Sequence, residues 1–180
     1  MGFLFLILIG LVLGAIFIYN SLIVSQNRVQ EALSDIEVQM KRRYDLIPNL
    51  VNTVKGYAIH EKSLLEKITQ LRSQALEAKD QKEQIKTDNM LSSTLKTLFA
   101  VVENYPDLKA NENFLQLQQE LVDCEDKIQA ARRFYNANVR DYNTKIQIFP
   151  SNLIARLIGA KPFEFFDIEE EEKAVPKVEF

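Results

Sequence analysis

The sequence predicts an all-α protein: an N-terminal transmembrane helix followed by an antiparallel helical bundle of three long helices and one shorter helix. Three observations predict it. The first is a 17-residue stretch without a charge, FLFLILIGLVLGAIFIY, from Phe3 to Tyr19. The second is the recurrence of apolar residues at alternating steps of three and four, which lays them along one stripe of a helix. The third is the scarcity of breakers, only 5 Gly and 5 Pro in 180 residues, in a composition that favours helix over sheet. The organisation that follows is an anchor over residues 1–20, a bundle over 21–160 and an aromatic and acidic tail over 161–180.

As a helix, Phe3–Tyr19 would be roughly 26 Å long, at the short end of what crosses a hydrocarbon core. A cleaved signal peptide is the competing reading, but it wants a basic n-region and a small-x-small cleavage site, and neither is here. No Cys stands nearby for a lipobox, and Leu6 occupies the position where a myristoylation motif needs Ser or Thr. The expectation is an uncleaved, single-pass anchor with the lipid bilayer as the partner of residues 3–19. The first Lys or Arg is Arg28, so the positive-inside rule leans toward a cytoplasmic bundle with the N-terminus outside. A signal-anchor that places the bundle outside is the alternative.

Downstream, the first apolar run is Leu22, Gln26, Val29, Leu33, Ile36 and Met40, broken only by Gln26. The second extends from Leu50 through Val54, Tyr57, Leu64, Ile68 and Leu71 to Ala78, with Glu61 as its one charge. The third extends from Phe114 through Leu121, Cys124, Ile128 and Tyr135 to Tyr142. A polar stretch, Lys79–Asn89, separates the second from a shorter helical pattern over Leu91–Val102. Tyr105-Pro106 ends that shorter helix, Asn111 is placed to cap the third long one, and Phe149-Pro150 closes it. Ser151 is then expected to cap a short amphipathic turn, LIARLI, that Gly159 ends. Each run is only about four heptads long and is followed by a turn, which favours an intramolecular bundle over a coiled coil with other chains.

The stretch KRRYDLIPNL, Lys41–Leu50, interrupts helix-friendly sequence with three cations and a proline. From Tyr19 to Arg42 a continuous helix would cover roughly 35 Å, and screening at physiological salt cuts off over about 8 Å. The triplet is therefore no juxtamembrane clamp. Cations suit a helix C-terminus, Asp45 can cap a following helix, and Pro48 is tolerated in a first turn. The stretch reads as a bend between two helices. Lys41, Arg42, Arg43, Asp45 and Asn49 then form a candidate partner-binding corner, with an anion or an acidic partner as the competing use.

Little here points to chemistry. Lys and Arg number 22 against 25 Asp and Glu, a net charge of -3 that does not suit nucleic acid as a partner. His60 is the one histidine; Leu64 stands where a zinc-protease helix needs its second His, and Tyr57 where a di-iron motif needs Glu. Cys124 falls on an apolar seam and reads as a small inert hydrophobe. Glu61 is expected at a bundle edge or paired with Arg132 or Arg133. The pairs Tyr135-Asn136 and Tyr142-Asn143 read as core residues with hydrogen-bonded polar tips, with a peptide-binding face as the alternative. FEFFDIEEEE looks extended or loosely docked, and its run Glu169–Glu172 reads as solvated. No catalytic, metal or cofactor set is expected.

Three motifs carry a resemblance: KRRYDLIPNLVNTVKGYAIHE (Lys41–Glu61), YPDLKANENFLQLQQEL (Tyr105–Leu121) and ARRFYNANVRDYNT (Ala131–Thr144), with Phe149-Pro150 after them and YNSLIVSQNRV (Tyr19–Val29) before. Together they resemble the LemA family over nearly the whole chain. Leu33 departs from the family's usual Trp, and Tyr44 from the His common before Asp-Leu-Ile-Pro. The resemblance implies a bacterial membrane-anchored antiparallel helical bundle, supplies no reaction, and brings relatives from magnetosome-building systems. The expected function is a non-enzymatic scaffold or interaction module for other membrane or envelope proteins, with homo-oligomers possible. The alternatives are a membrane-shaping module using LIARLI and an enzyme with a site around His60, Glu61 and Tyr57.

Overall fold

The computed structural model describes residues 2–166; the expected acidic run Glu169–Glu172 lies outside the described residues. Every regular element among them is helical: α1 (Gly2–Lys55), a single 3-10 turn (Ile59–Glu61), α2 (Lys62–Glu77), α3 (Gln81–Val102), α4 (Pro106–Lys109), α5 (Glu112–Gln147) and α6 (Ser151–Leu157). The all-α class is as predicted, while several boundaries differ for reasons the side chains supply.

The bend expected at Lys41–Leu50 is absent. α1 passes through it and holds Pro48 inside the helix. A mid-helix proline lacks the N–H that would bond the carbonyl four residues back, and the cost is about 3 kcal/mol or more. Here that carbonyl belongs to Tyr44, and Arg72 of α2 donates to it instead, with Nε 2.7 Å away. The pyrrolidine ring itself faces solvent. A donor from a neighbouring helix thus replaces the one proline removed, and α1 continues.

The turn lies instead at Gly56–Ala58, where the Val54 carbonyl accepts from the N–H of both Tyr57 and Ala58 (3.0 and 2.9 Å). Glycine is the poorest helix former after proline. This cuts the predicted second seam in two. Leu50 and Val54 finish the buried face of α1, and Leu65, Ile68, Leu71 and Ala75 form that of α2. On the first seam, burial begins at Leu22 and falls on Ser25 and Ala32 where Gln26 and Leu33 were expected.

The polar stretch Lys79–Asn89 is mostly helix. Asp80 caps α3, its Oδ1 accepting from the Glu83 N–H at 2.7 Å, so a helix starts well before its apolar residues do. Asn111 caps α5 as predicted, accepting from the Phe114 N–H at 3.0 Å. Ser151 is not a cap but the first residue of α6, its Oγ donating to the Ile148 carbonyl at 3.0 Å. Gly159 does end α6, at φ 67°. Ala160 N–H reaches the Ala155 carbonyl (2.9 Å) and Gly159 N–H that of Arg156 (3.2 Å), the paired bonds of a left-handed helix stop.

The chain gathers into two compact units. In the unit of residues 35–130, α1 runs antiparallel to α5, since Arg42 meets Asp123 while Tyr57 meets Asn111. α2 runs back along α1, bringing Arg72 to Tyr44. α3 runs antiparallel to α5, with Ser92 against Glu125 and Phe99 edge-on to Phe114. Four helices, α1, α2, α3 and α5, thus surround this core. The other unit combines the described residues up to Ser34 with those from Ala131.

Candidate functional site

The five residues of the predicted corner do not act together. Lys41, Arg42, Asp45 and Asn49 lie on the exposed side of α1, and Arg43 is buried. Lys41 pairs with Asp45 one turn on (3.0 Å), and Arg42 with Asp123 of α5 (3.2 Å). Lys127 also binds Asp123, and that hydrogen bond, seconded by Arg42, holds the Asp123 carboxyl below the usual carboxylate range. The Asn49 carbonyl accepts from Thr53 Oγ1 at 2.9 Å.

Arg43, 1% exposed, points the other way, into the helices of its own unit. Its guanidinium is ion-paired to the fully buried Asp88 of α3 and to Glu125 of α5, with Nη1 2.5 Å from Glu125 Oε2. Ser92 Oγ lies 2.6 Å from Nη1 and donates to Glu125 Oε2 at 2.9 Å. Tyr44 OH donates to Asp88 Oδ1 at 2.8 Å. Burial works against the charge on Arg43, but Asp88 first and Glu125 after it outweigh burial and raise its pKa. The Tyr44 phenol is pushed up, chiefly by burial and then by Asp88. Helices α1, α3 and α5 are thereby locked to one another through a single buried cation. The basic triplet hid this role. The signal that could have found it is the α1 seam itself, because three- and four-residue steps from Met40 land on Arg43 and Tyr44 and then on Ile47.

A second arrangement lies in the unit that includes the C-terminal half of α5. Tyr135 and Tyr142 are buried, as the core reading had it. Their neighbours Asn136 and Asn143 do something different: each clasps a backbone residue of the segment after α6. Asn143 Nδ2 donates to the Phe163 carbonyl (2.9 Å), and Phe163 N–H donates to Asn143 Oδ1 (3.0 Å). Asn136 makes the same pair with Phe166, at 3.1 and 2.9 Å. Tyr135 OH donates to the Glu164 carbonyl between them (3.0 Å). Phe163 packs edge-on against Tyr142 and Phe166 against Tyr135, each with ring centroids 5.2 Å apart, and the Arg132 guanidinium sits over Phe166. The geometry fits because seven residues of helix rise about 10.5 Å, and three residues of extended chain cover about 10 Å.

Two residues of the enzyme alternative, Glu61 and Tyr57, are engaged in structural contacts. Glu61 accepts from Tyr105 OH at 3.0 Å, not from an arginine, and Tyr57 OH accepts from Asn111 Nδ2 at 3.0 Å. His60 is exposed in the 3-10 turn. Cys124 is fully buried, and burial pushes its thiol pKa up, away from the reactive thiolate. Among the described residues, no three His, Cys, Asp or Glu side chains converge where a metal ion would sit.

Comparison with known proteins gives a consistent picture. The family model described as LemA family matches residues 32–180. Protein LemA of Metamycoplasma hominis is 32% identical over 155 residues, covering 86% of this chain and 71% of that protein. Magnetosome protein MamQ 2 of Paramagnetospirillum magneticum is 27% identical over 174 residues, covering 82% of this chain and 64% of its own length. Magnetosome protein MamQ of Magnetospirillum gryphiswaldense is similar at 26% identity over the same extents. The chain thus spans a little under two thirds of the MamQ proteins' length.

Proposed function

We propose, because this chain belongs to the LemA family, that it is a membrane-anchored helical scaffold that organises other membrane or envelope proteins and carries no catalysis of its own. The observation that supports this most is the start of α1. It has an 18-residue window of mean hydropathy 2.7, none of it buried within the chain, and Phe3, Leu4 and Phe17 are each at least 70% exposed. Apolar side chains left bare over so long a stretch belong in lipid. The same helix continues unbroken into folded residues, so the anchor has no flexible linker behind it. The relatives named as magnetosome proteins support work at a membrane. We place the residues after the anchor in the cytoplasm, with Arg28 as the first retained charge.

The partner surface on this reading is the exposed side of α1 around Lys41, Arg42, Asp45 and Asn49, without Arg43. Three measurements test the reading. Carbonate extraction of membranes should leave the full chain in the pellet, and release into the supernatant would remove the anchor. Single cysteines at Lys79 and Lys173 in a Cys124→Ala background should resist a membrane-impermeant thiol reagent until cells are lysed. Labelling of intact cells would instead put the bundle outside. Loss of copurifying membrane proteins from Lys41→Glu/Arg42→Glu is the expected result for the surface, and an unchanged set would dismiss it.

A second reading has its own observation. Ile148, Phe149, Leu153, Leu157 and Ile158 are all at least 40% exposed, Phe149 and Leu157 more than 75%. They follow Lys145, which donates to Ser21 at the end of the apolar stretch (3.3 Å). On this reading α6 lies in the head-group layer beside the anchor and lets the protein bear on bilayer shape. Leu153→Glu/Leu157→Glu should then abolish any remodelling of liposomes by the reconstituted chain, and remodelling that survives the change would dismiss α6.

A further inference from the structure

The Asn136–Asn143 face of α5 has the properties of a binding site that its own chain fills. It reads an extended backbone through four amide hydrogen bonds at two points seven helical residues apart. Asparagine is suited to this because its side-chain amide offers one donor and one acceptor, the complement of a peptide unit. The face also selects side chains. Phe163 and Phe166 pack edge-on against Tyr142 and Tyr135, while Glu164 and Phe165 are exposed. Aromatic at the first and fourth positions is the recognition pattern.

We infer that this face is a site for an extended Phe-x-x-Phe segment, and that its occupant from outside is the Phe163–Phe166 segment of a second copy of this chain, exchanged for the chain's own. The contacts made in exchange are the same as those made within one chain, so exchange forfeits none of them. The segment is tethered to α6 by the short stretch after Gly159, in which Lys161 and Pro162 are exposed. Which arrangement prevails is then a matter of effective concentration. A short tether favours the chain's own segment in dilute solution, and crowding of many copies favours the partner's. The site is read from its own contacts and stands apart from the question of what the anchored scaffold organises.

The test uses two full-length variants in detergent micelles, each checked for retained helicity. Asn136→Ala/Asn143→Ala has a dead face and an intact segment. Phe163→Ala/Phe166→Ala has an intact face and a dead segment. Each should run as a monomer alone, and an equimolar mixture should give a 1:1 complex by light scattering. A fluorescent peptide of residues 161–166 serves as the second probe. It should bind the segment-dead variant, and adding Asn143→Ala to that variant should weaken binding roughly 30-fold, as loss of two backbone hydrogen bonds implies. No complex in the mixture would overturn the exchange, including when the peptide binds, since the segment would then be an internal strap. No peptide binding would overturn the site itself.

Discussion

Two polar constructions hold this protein, and they differ in the charge they bury. In residues 35–130, Arg43 is enclosed by Asp88, Glu125, Ser92 and Tyr44. In the other unit, Asn136 and Asn143 clasp Phe163 and Phe166 with neutral amides. The difference decides what each can do. A buried ion pair cannot open without leaving a charge out of water, so the Arg43 cluster resists separation of its helices. An asparagine amide released from a peptide turns to water at little cost, so the clasped segment can leave and return. Stability of the core and exchangeability of the segment come from the same need, polar satisfaction, met by a buried ion pair in one unit and by side-chain amides in the other.

The largest test of this contrast is Asp88→Ala. It leaves Arg43 buried with less of its countercharge, and removing one partner of a buried pair costs about 3–5 kcal/mol. The midpoint of urea unfolding of the full chain in mild detergent should fall accordingly, and Arg43→Met/Asp88→Leu should recover much of the loss because both fully buried charges are then gone and the carboxylate that remains, Glu125, is partly exposed. A double variant as unstable as the single one would show that the cluster acts through shape and not charge.

Asn143→Ala should behave differently in kind. Two backbone hydrogen bonds are worth about 2 kcal/mol together, and their loss should appear as local release of the segment after α6. Amide exchange at Phe163 and Phe166 should accelerate while amides in α2 and α3 keep their protection. Acceleration spread through both units would mean that the clasp is part of the global fold and not a separable contact.

The sequence conveyed the class of fold and the periodic faces because burial follows the helical repeat, which needs no partner to be read. Asn111 and Gly159 were legible for the same reason: a cap and a left-handed stop are local chemistry. Pro48 misled because its usual consequence is local and its remedy is not. Arg72 stands 24 positions after it, and nothing in either neighbourhood announces that one repairs the other. The Arg43 cluster stayed hidden because its members come from three helices, and Asp88 sits in a stretch whose polarity looks like a linker. The Tyr-Asn pairs read as core residues with hydrogen-bonded polar tips; the tyrosines are buried, and the asparagines bond the chain's own backbone after α6, a partner that nothing near them in sequence announces.

Pro48 and Arg72 allow a smaller and sharper measurement. Arg72→Met leaves the Tyr44 carbonyl without its donor and should cost about 1–3 kcal/mol, the range for a buried polar group left unsatisfied. Pro48→Ala restores an N–H at the position that ordinarily bonds this carbonyl. In that background Arg72→Met should therefore cost clearly less, and the difference is the coupling between two residues that never touch. Equal costs in both backgrounds would mean that Arg72 stabilises the bundle only through its packing.

The smallest effect expected is at the residue beside Arg43. Arg42 also bridges to α5, yet Arg42 and Asp123 are 44% and 40% exposed in their side chains, and Lys127 already serves the same carboxylate. Solvent screens such a pair, and ordering a long side chain offsets most of what attraction remains. Arg42→Ala should leave the urea midpoint within experimental error at physiological salt. If the midpoint fell toward that of Asp88→Ala, burial would not be what separates these neighbouring arginines, and the contrast between the charged and neutral constructions would lose its physical basis.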